Sequence, residues 1–193
     1  MAQKPAADRA SRAQKTKKRL FQSASKLINK YGYDKVTIAD ISKRAGVSVG
    51  AFYHYYDSKT DIIVEFFKQI DVYYEDVVAA ELTGDPDEDL EIFFRHYAKY
   101  HVDQGVEHTS MIIKVQSPFF LDETRYLRRK LVGIIGQAKT RGLAAEAYTA
   151  ERIADFMLVI ARGLLFDWVL AHGEYDLVEK MREYIFLSRQ TFR

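Results

Sequence analysis

The run Val36-Thr37-Ile38-Ala39-Asp40-Ile41-Ser42-Lys43-Arg44-Ala45-Gly46-Val47-Ser48-Val49-Gly50-Ala51-Phe52-Tyr53-His54-Tyr55-Tyr56 constrains this chain more than any other feature. It reads as two short helices joined by a turn. Thr37 is placed to cap the first, with Asp40 three residues on as its reciprocal partner, and Ile38, Ile41 and Ala45 then share one apolar stripe. Gly46 ends that helix and Ser48 is placed to cap the next, about Val49 to Tyr55. Gly50 and Ala51 keep its first turn small enough to approach a flat polar surface closely. The spacing predicts a helix-turn-helix.

Charge is divided in a way that fits such a head. Residues 1–60 carry 13 Lys or Arg against 4 Asp, a net +9, while the remainder has 16 basic and 23 acidic residues, a net −7, which together restore the overall +2. A basic head on an acidic body is the footprint of a phosphate-binding module joined to something that does not bind nucleic acid. No cysteine is present, which excludes disulfides, a thiol redox switch and a cysteine metal site. No apolar run approaches the roughly 18 to 20 residues that span a bilayer. The polar start Met1-Ala2-Gln3-Lys4-Pro5 does not read as a signal peptide, so a cytoplasmic protein without membrane contact is expected.

Periodicity predicts nine helices and no sheet. Residues 1–10 are expected to be a disordered basic arm. Residues 11–58 form the helix-turn-helix domain, with Ser11 and Gln14 capping a first helix that runs to about Lys30. Residues 59–193 form a helical second domain. Ser58 with Asp61 opens a fourth helix whose apolar period lasts to Ala80, roughly 33 Å at about 1.5 Å per residue, long enough to connect the two domains. Thr83-Gly84-Asp85-Pro86 breaks the chain, and further breaks at Gln104-Gly105, Ser117-Pro118, Arg141-Gly142 and His172-Gly173 delimit the remaining helices.

At this point the chain resembles the amino-terminal domain of the TetR (AcrR-like) family of bacterial transcription regulators. The matching pieces are the apolar face Leu20, Phe21, Ala24, Leu27 and Ile28; Tyr31-Gly32-Tyr33 before Thr37; Ala45-Gly46-Val47-Ser48; Gly50-Ala51-Phe52-Tyr53; and Ser58-Lys59. The resemblance covers residues 12–66. Two departures are mild: Ser42 stands where the family usually has Ala, and Tyr55-Tyr56 where His-Phe is common. The resemblance implies an all-α, two-domain, nine-helix fold. It also implies a homodimeric regulator, a repressor, that binds a near-palindromic double-stranded operator and is released by a small-molecule effector.

Chemistry assigns roles within the head. Val49 and Ala51 offer apolar contact, for example with a thymine methyl; Ser48 and His54 exchange hydrogen bonds with base edges or phosphate; Gly50 permits close approach. By resemblance, Thr37, Tyr53, Tyr55 and Lys59 contact the DNA backbone, in keeping with the free N–H groups of helix N-termini and the point charge of Lys. The reading helix holds no Arg, so shape and backbone contacts are expected to carry much of the specificity. Phe52 and Tyr56 are expected in the core.

Aromatics are abundant in the second domain. Tyr97, His101, Met111, Phe120, Tyr126, Phe156, Phe166 and Trp168 are candidates to line a pocket for a small apolar or aromatic effector. The last two helices, capped by Thr149 and Asp176, have more apolar surface than one face needs. By resemblance they form a four-helix dimer interface, with Phe156, Ile160, Leu164, Leu177, Met181, Tyr184 and Ile185 as candidates. His96, His101 and His108, with Asp103 and Glu107, form no compact metal-ligand set. No phosphate loop, nucleophile elbow, metalloprotease helix or kinase-like set is present, so neither a cofactor nor catalysis is expected. The competing readings are an adaptor whose second domain binds a protein, and an enzyme acting on an apolar substrate through His101 or His108.

Overall fold

The computed structural model describes residues 4–115 and 122–191, the backbone alone for 4–10 and 191. Nine helices and no strand occur among the described residues. They are α1 (Lys4–Tyr31), α2 (Ile38–Ala45), α3 (Val49–Phe52), α4 (Lys59–Tyr73), α5 (Pro86–Gln104), α6 (Val106–Val115), α7 (Tyr126–Thr140), α8 (Ala150–Leu170) and α9 (Leu177–Thr191). The run of α4 continues through a π-helical turn, Tyr74–Val78, and ends on Ala79–Glu81.

Two compact units divide the chain at Phe66 and Phe67, inside α4 rather than before it. The first turns of α4 belong to the first unit because Ile62, Ile63 and Phe66 complete its core with Leu20, Ala24 and Ile28 of α1 and Ile41 of α2. The rings of Phe21 and Phe66 meet at 4.6 Å between centroids. As expected, Phe52 and Tyr56 are buried there.

The amino terminus differs from the expected arm. Helix α1 begins at Lys4, ahead of the cap anticipated at Ser11. Ala6, Ala7 and Ala10 are strong helix formers, and Pro5 is tolerated because the first-turn N–H groups lack intrahelical acceptors.

The second unit buries Leu90, Phe93, Phe94 and Tyr97 of α5 against Leu131 and Ile135 of α7, Met157, Leu164 and Trp168 of α8, and Leu177, Met181 and Ile185 of α9. Caps mark the breaks. The Asp85 carboxylate accepts from the N–H groups of Asp87 and Glu88 at 3.0 and 3.1 Å, with Pro86 in the first turn of α5. Asp176 serves α9 in the same way. The π turn had no signal in the sequence; it carries Tyr74, whose buried hydroxyl donates to the Phe93 carbonyl at 2.7 Å.

Candidate nucleic-acid interface

Helix α2 starts on a reciprocal cap. The N–H of Asp40 donates to Thr37 Oγ1 at 3.1 Å, and the N–H of Thr37 donates to Asp40 Oδ2 at 3.0 Å. The Thr37 hydroxyl proton is also given to that carboxylate, and these hydrogen bonds, the side-chain one first, hold the Asp40 carboxyl below its usual range. Thr37 therefore has no hydroxyl proton to spare; the free N–H groups of the first turn of α2 remain. At the far end Gly46 adopts φ 66° and ψ 40°, the left-handed conformation that closes a helix without a Cβ penalty. Arg19 of α1 donates to the Ala45 carbonyl at 2.6 Å, an added C-terminal cap that the local pattern did not reveal.

The turn leads into α3 through Ser48, whose Oγ accepts from the Ala51 N–H at 3.1 Å. Regular α-helix lasts only four residues. Beyond Phe52 the backbone tightens, with the N–H of His54 reaching Ala51 O and that of Tyr55 reaching Phe52 O. The reading helix expected to Tyr55 is thus one α turn followed by a tight turn.

Side-chain placement follows from this geometry. Ser48, Val49, Gly50, Tyr53 and His54 are exposed, and Ala51 and Tyr55 are half-buried. Tyr53 and Val49 expose 53% and 43% of their surface. A Cβ added to Gly50 would meet only Ser48 Oγ, at 3.9 Å, so nothing inside the domain requires glycine there. Lys43 and Arg44 are exposed beside the turn.

Lys59 is engaged inward. Its ammonium donates to the carbonyls of Tyr33 and Val36 at 2.8 and 2.9 Å and lies 4.0 Å from the Tyr33 ring centre, and partial burial pulls its pKa down. One of its three N–H donors is left for another partner. Ser58 and Asp61 form a second reciprocal cap beside it, with Asp61 N–H donating to Ser58 Oγ at 3.2 Å and Ser58 N–H donating to Asp61 Oδ2 at 3.1 Å.

In the second unit the structure separates the pocket candidates. Tyr97 borders a crevice of about 310 Å³. His101 and Met111 are buried, and His101 Nδ1 lies 3.2 Å from Thr109 Oγ1. Since Thr109 itself donates to the Gly105 carbonyl, its oxygen is left to accept from His101. Burial lowers the pKa of His101 to about 3 and that of His108 to about 4. Trp168 is core, its indole N–H donating to the Tyr175 carbonyl at 3.2 Å, and Tyr126 is half-buried. Phe120 lies outside the described residues. Phe156 and Phe166 are exposed on the outer side of α8, because helical spacing rotates them away from Ile153, Met157, Leu164 and Trp168. Among the described residues no three His, Cys, Asp or Glu side chains group to hold a metal.

The proposed dimer residues also split. Leu164, Leu177, Met181 and Ile185 are buried within the subunit, so they cannot meet a second copy. Ile160 is half-buried, while Phe156 and Tyr184 are exposed. The free apolar face consists of residues not selected from sequence: Val159 and Leu170 on α8 expose 58% and 63%, and Phe186 and Leu187 on α9 are similarly open. The i, i+3 and i+4 spacing of Val159 with Phe156, of Leu170 with Phe166 and of Leu187 with Tyr184 was the available signal.

Residues 20–66 match the family model described as bacterial regulatory proteins, tetR family. Over 187 residues the chain is 24% identical to the HTH-type transcriptional regulator TtgR of Pseudomonas putida, covering 90% of this chain and 89% of the relative. The fold is similar to that of a TetR transcription regulator from Haloarcula marismortui, with TM-score 0.73, 19% identity and coverage of 93% of this chain and 98% of the other. It is also similar to that of Thermus thermophilus FadR, a TetR family transcriptional repressor in complex with lauroyl-CoA, with TM-score 0.64, 20% identity and coverage of 89% and 92%. No helix among the described residues is long and apolar enough to cross a membrane.

Proposed function

We propose that this chain, which belongs to the TetR family of bacterial transcription regulators, is a ligand-responsive repressor that binds a near-palindromic operator as a homodimer. The observation that carries the reading is the exposed end of the helix-turn-helix. Two capped helix N-termini, an exposed Val49, Tyr53 and His54, and a glycine free of internal need share one unit with the chain's excess of positive charge. Ser48, Val49, Gly50, Ala51 and His54 are assigned to the major groove, and Tyr53, Tyr55 and the first turn of α2 at Thr37 to phosphates. Lys59 is assigned chiefly to bracing the loop before α2, with one donor left for phosphate.

Dimerisation is assigned to the outer faces of α8 and α9, around Val159, Phe166, Leu170, Tyr184 and Leu187, and not to the buried Leu164, Leu177, Met181 and Ile185. Two-fold symmetry then presents two reading heads to two half-sites. An effector in the second unit lowers operator affinity by favouring a dimer with the wrong head separation. A tenfold loss requires only about 1.4 kcal/mol of preference for the non-binding state. The bound lauroyl-CoA of the Thermus protein supports a small-molecule effector as the general class. The named relatives are regulators rather than enzymes, which favours this reading over an enzymatic one.

Fluorescence anisotropy with DNA from the chain's own upstream region tests it, against a scrambled duplex at two salt concentrations. Preference for the native duplex by about a thousandfold, with steep salt dependence, is expected. Equal and weak binding to several upstream duplexes would favour the adaptor reading.

A further inference from the structure

The crevice beside Tyr97 has features of a built ligand site. It lies between α5, the residues just before α7, and α8, with a volume of about 310 Å³, near the lower end of ordinary small-molecule sites. Leu127 and Leu158 supply apolar wall. Tyr97 is 95% buried by side-chain packing, since it exposes only 5% of its surface, yet its hydroxyl makes no hydrogen bond among the described residues. Tyr97 lines the crevice together with Arg162, whose charge acts on the phenol. Burial keeps this phenol protonated, and therefore a donor.

Arg162 is the second feature. It is half-buried at the crevice, its charge acts on the Tyr97 hydroxyl, and it makes no ion pair or hydrogen bond among the described residues. The two neighbouring guanidinium groups are already committed. Arg128 clamps Asp155 through two hydrogen bonds at 2.8 and 3.0 Å, Arg125 pairs with Asp71 at 3.0 Å, and Asp122 accepts from Thr124. A half-buried guanidinium with no ion pair among the described residues, next to a phenol with no hydrogen bond there, is an incomplete recognition pair.

We propose that this crevice is the effector site and takes a compact monocarboxylate. Its carboxylate seats between the Arg162 guanidinium and the Tyr97 hydroxyl, and its apolar body lies against Leu127 and Leu158. A single open cation matches one negative charge; Asp122, Glu123 and Asp155 at the rim repel a polyanion such as a nucleotide or coenzyme thioester. A larger groove of about 420 Å³ between α5 and α9 is less suited, since its arginines already pair with Glu81, Glu179 and Asp87. The inference rests on the reading of the second unit as effector-binding.

The test is calorimetric titration of the full chain with benzoate, phenylacetate and octanoate, each beside its primary amide, repeated on Arg162→Gln, Arg162→Lys and Tyr97→Phe. At least one carboxylate should bind about tenfold or more tighter than its amide, and Arg162→Gln should remove that preference without changing the melting temperature. Arg162→Lys should restore part of it, and Tyr97→Phe should weaken binding several-fold. Absence of binding by all three carboxylates at millimolar concentration, equal binding of the amides, or indifference to Arg162→Gln would overturn the proposal. So would a dimer that dissociates in Arg162→Gln while carboxylate affinity stays, because Arg162 would then serve the subunit contact. Operator anisotropy with the same ligands separates the two levels. Release by an amide or by lauroyl-CoA alone defeats the carboxylate assignment and leaves the regulator standing; loss of operator preference in the ligand-free chain defeats the regulator reading while calorimetry still decides the crevice.

Discussion

The ammonium of Lys59 donates to the carbonyl oxygen of Tyr33 at 2.8 Å and lies 4.0 Å from the centre of the same residue's ring. One side chain at the start of α4 thus grips the loop before α2 by its backbone and by its aromatic face. Lys59→Ala should lower the thermal stability of the first unit by about 1 kcal/mol and weaken binding to every duplex alike. Unchanged melting with a salt slope smaller by about one would mean instead that Lys59 acts on phosphate alone.

Gly50 offers the opposite test, of a residue whose reason lies outside the domain. Since an added Cβ meets only Ser48 Oγ at 3.9 Å, Gly50→Ala should leave the fold intact and raise its stability by up to about 1 kcal/mol through helix propensity. DNA affinity should fall several-fold. Paired melting and anisotropy measurements check both halves, and unaltered affinity would remove Gly50 from the interface.

The Tyr56 hydroxyl is buried with no hydrogen-bond partner among the described residues, and burial pushes its pKa well up. Tyr56→Phe removes an unsatisfied polar atom and keeps the ring packing, so stabilisation of about 1 kcal/mol is expected in denaturant titration. A loss of stability would show that the hydroxyl has a partner in solution.

On α8 and α9, inward and outward apolar residues should behave differently. Leu170→Glu, at a side chain exposing 63% of its surface, should give folded monomers by light scattering, with operator affinity much reduced. Met181→Ala, fully buried, should instead cost about 2 to 5 kcal/mol of stability and leave the folded fraction dimeric. Dimers persisting in Leu170→Glu and Val159→Glu would place the subunit contact elsewhere.

Mild acid should weaken the second unit. His101 and His108 have folded pKa values of about 3 and about 4, below the ordinary value of about 6.5, because burial disfavours the imidazolium. As pH falls through 6.5 the unfolded chain takes up protons that the folded chain refuses, so stability is full above that value and declines below it. Each histidine contributes a slope of about 1.4 kcal/mol per pH unit. Denaturant titrations between pH 7 and 5 should show this decline, flattened in His101→Asn relative to its own value at pH 7.

Much of the head was legible because its signals are local. Thr37 with Asp40, Gly46 and Ser48 each act within four residues along the chain, through caps and a left-handed turn, and hydrogen bonding of that range depends on sequence alone. Helix number and the breaks at Asp85-Pro86 and His172-Gly173 were readable for the same reason. The role of Lys59 was not, since its acceptors at Tyr33 and Val36 are more than twenty residues away and become neighbours only when α1, α2 and α4 pack.

The sequence by itself determined which segments are helical, where they are capped, and that an excess of positive charge belongs to a helix-turn-helix. Tertiary structure decided which side of each apolar helix is spent on the core. On α8, Leu164 and Phe166 are equally apolar and two residues apart, yet one is buried and the other half exposed. A helix that is apolar around most of its circumference carries no internal mark of inside and outside; only the neighbours that cover Leu164, and leave Phe166, Leu170 and Arg162 uncovered or unpaired, supply it.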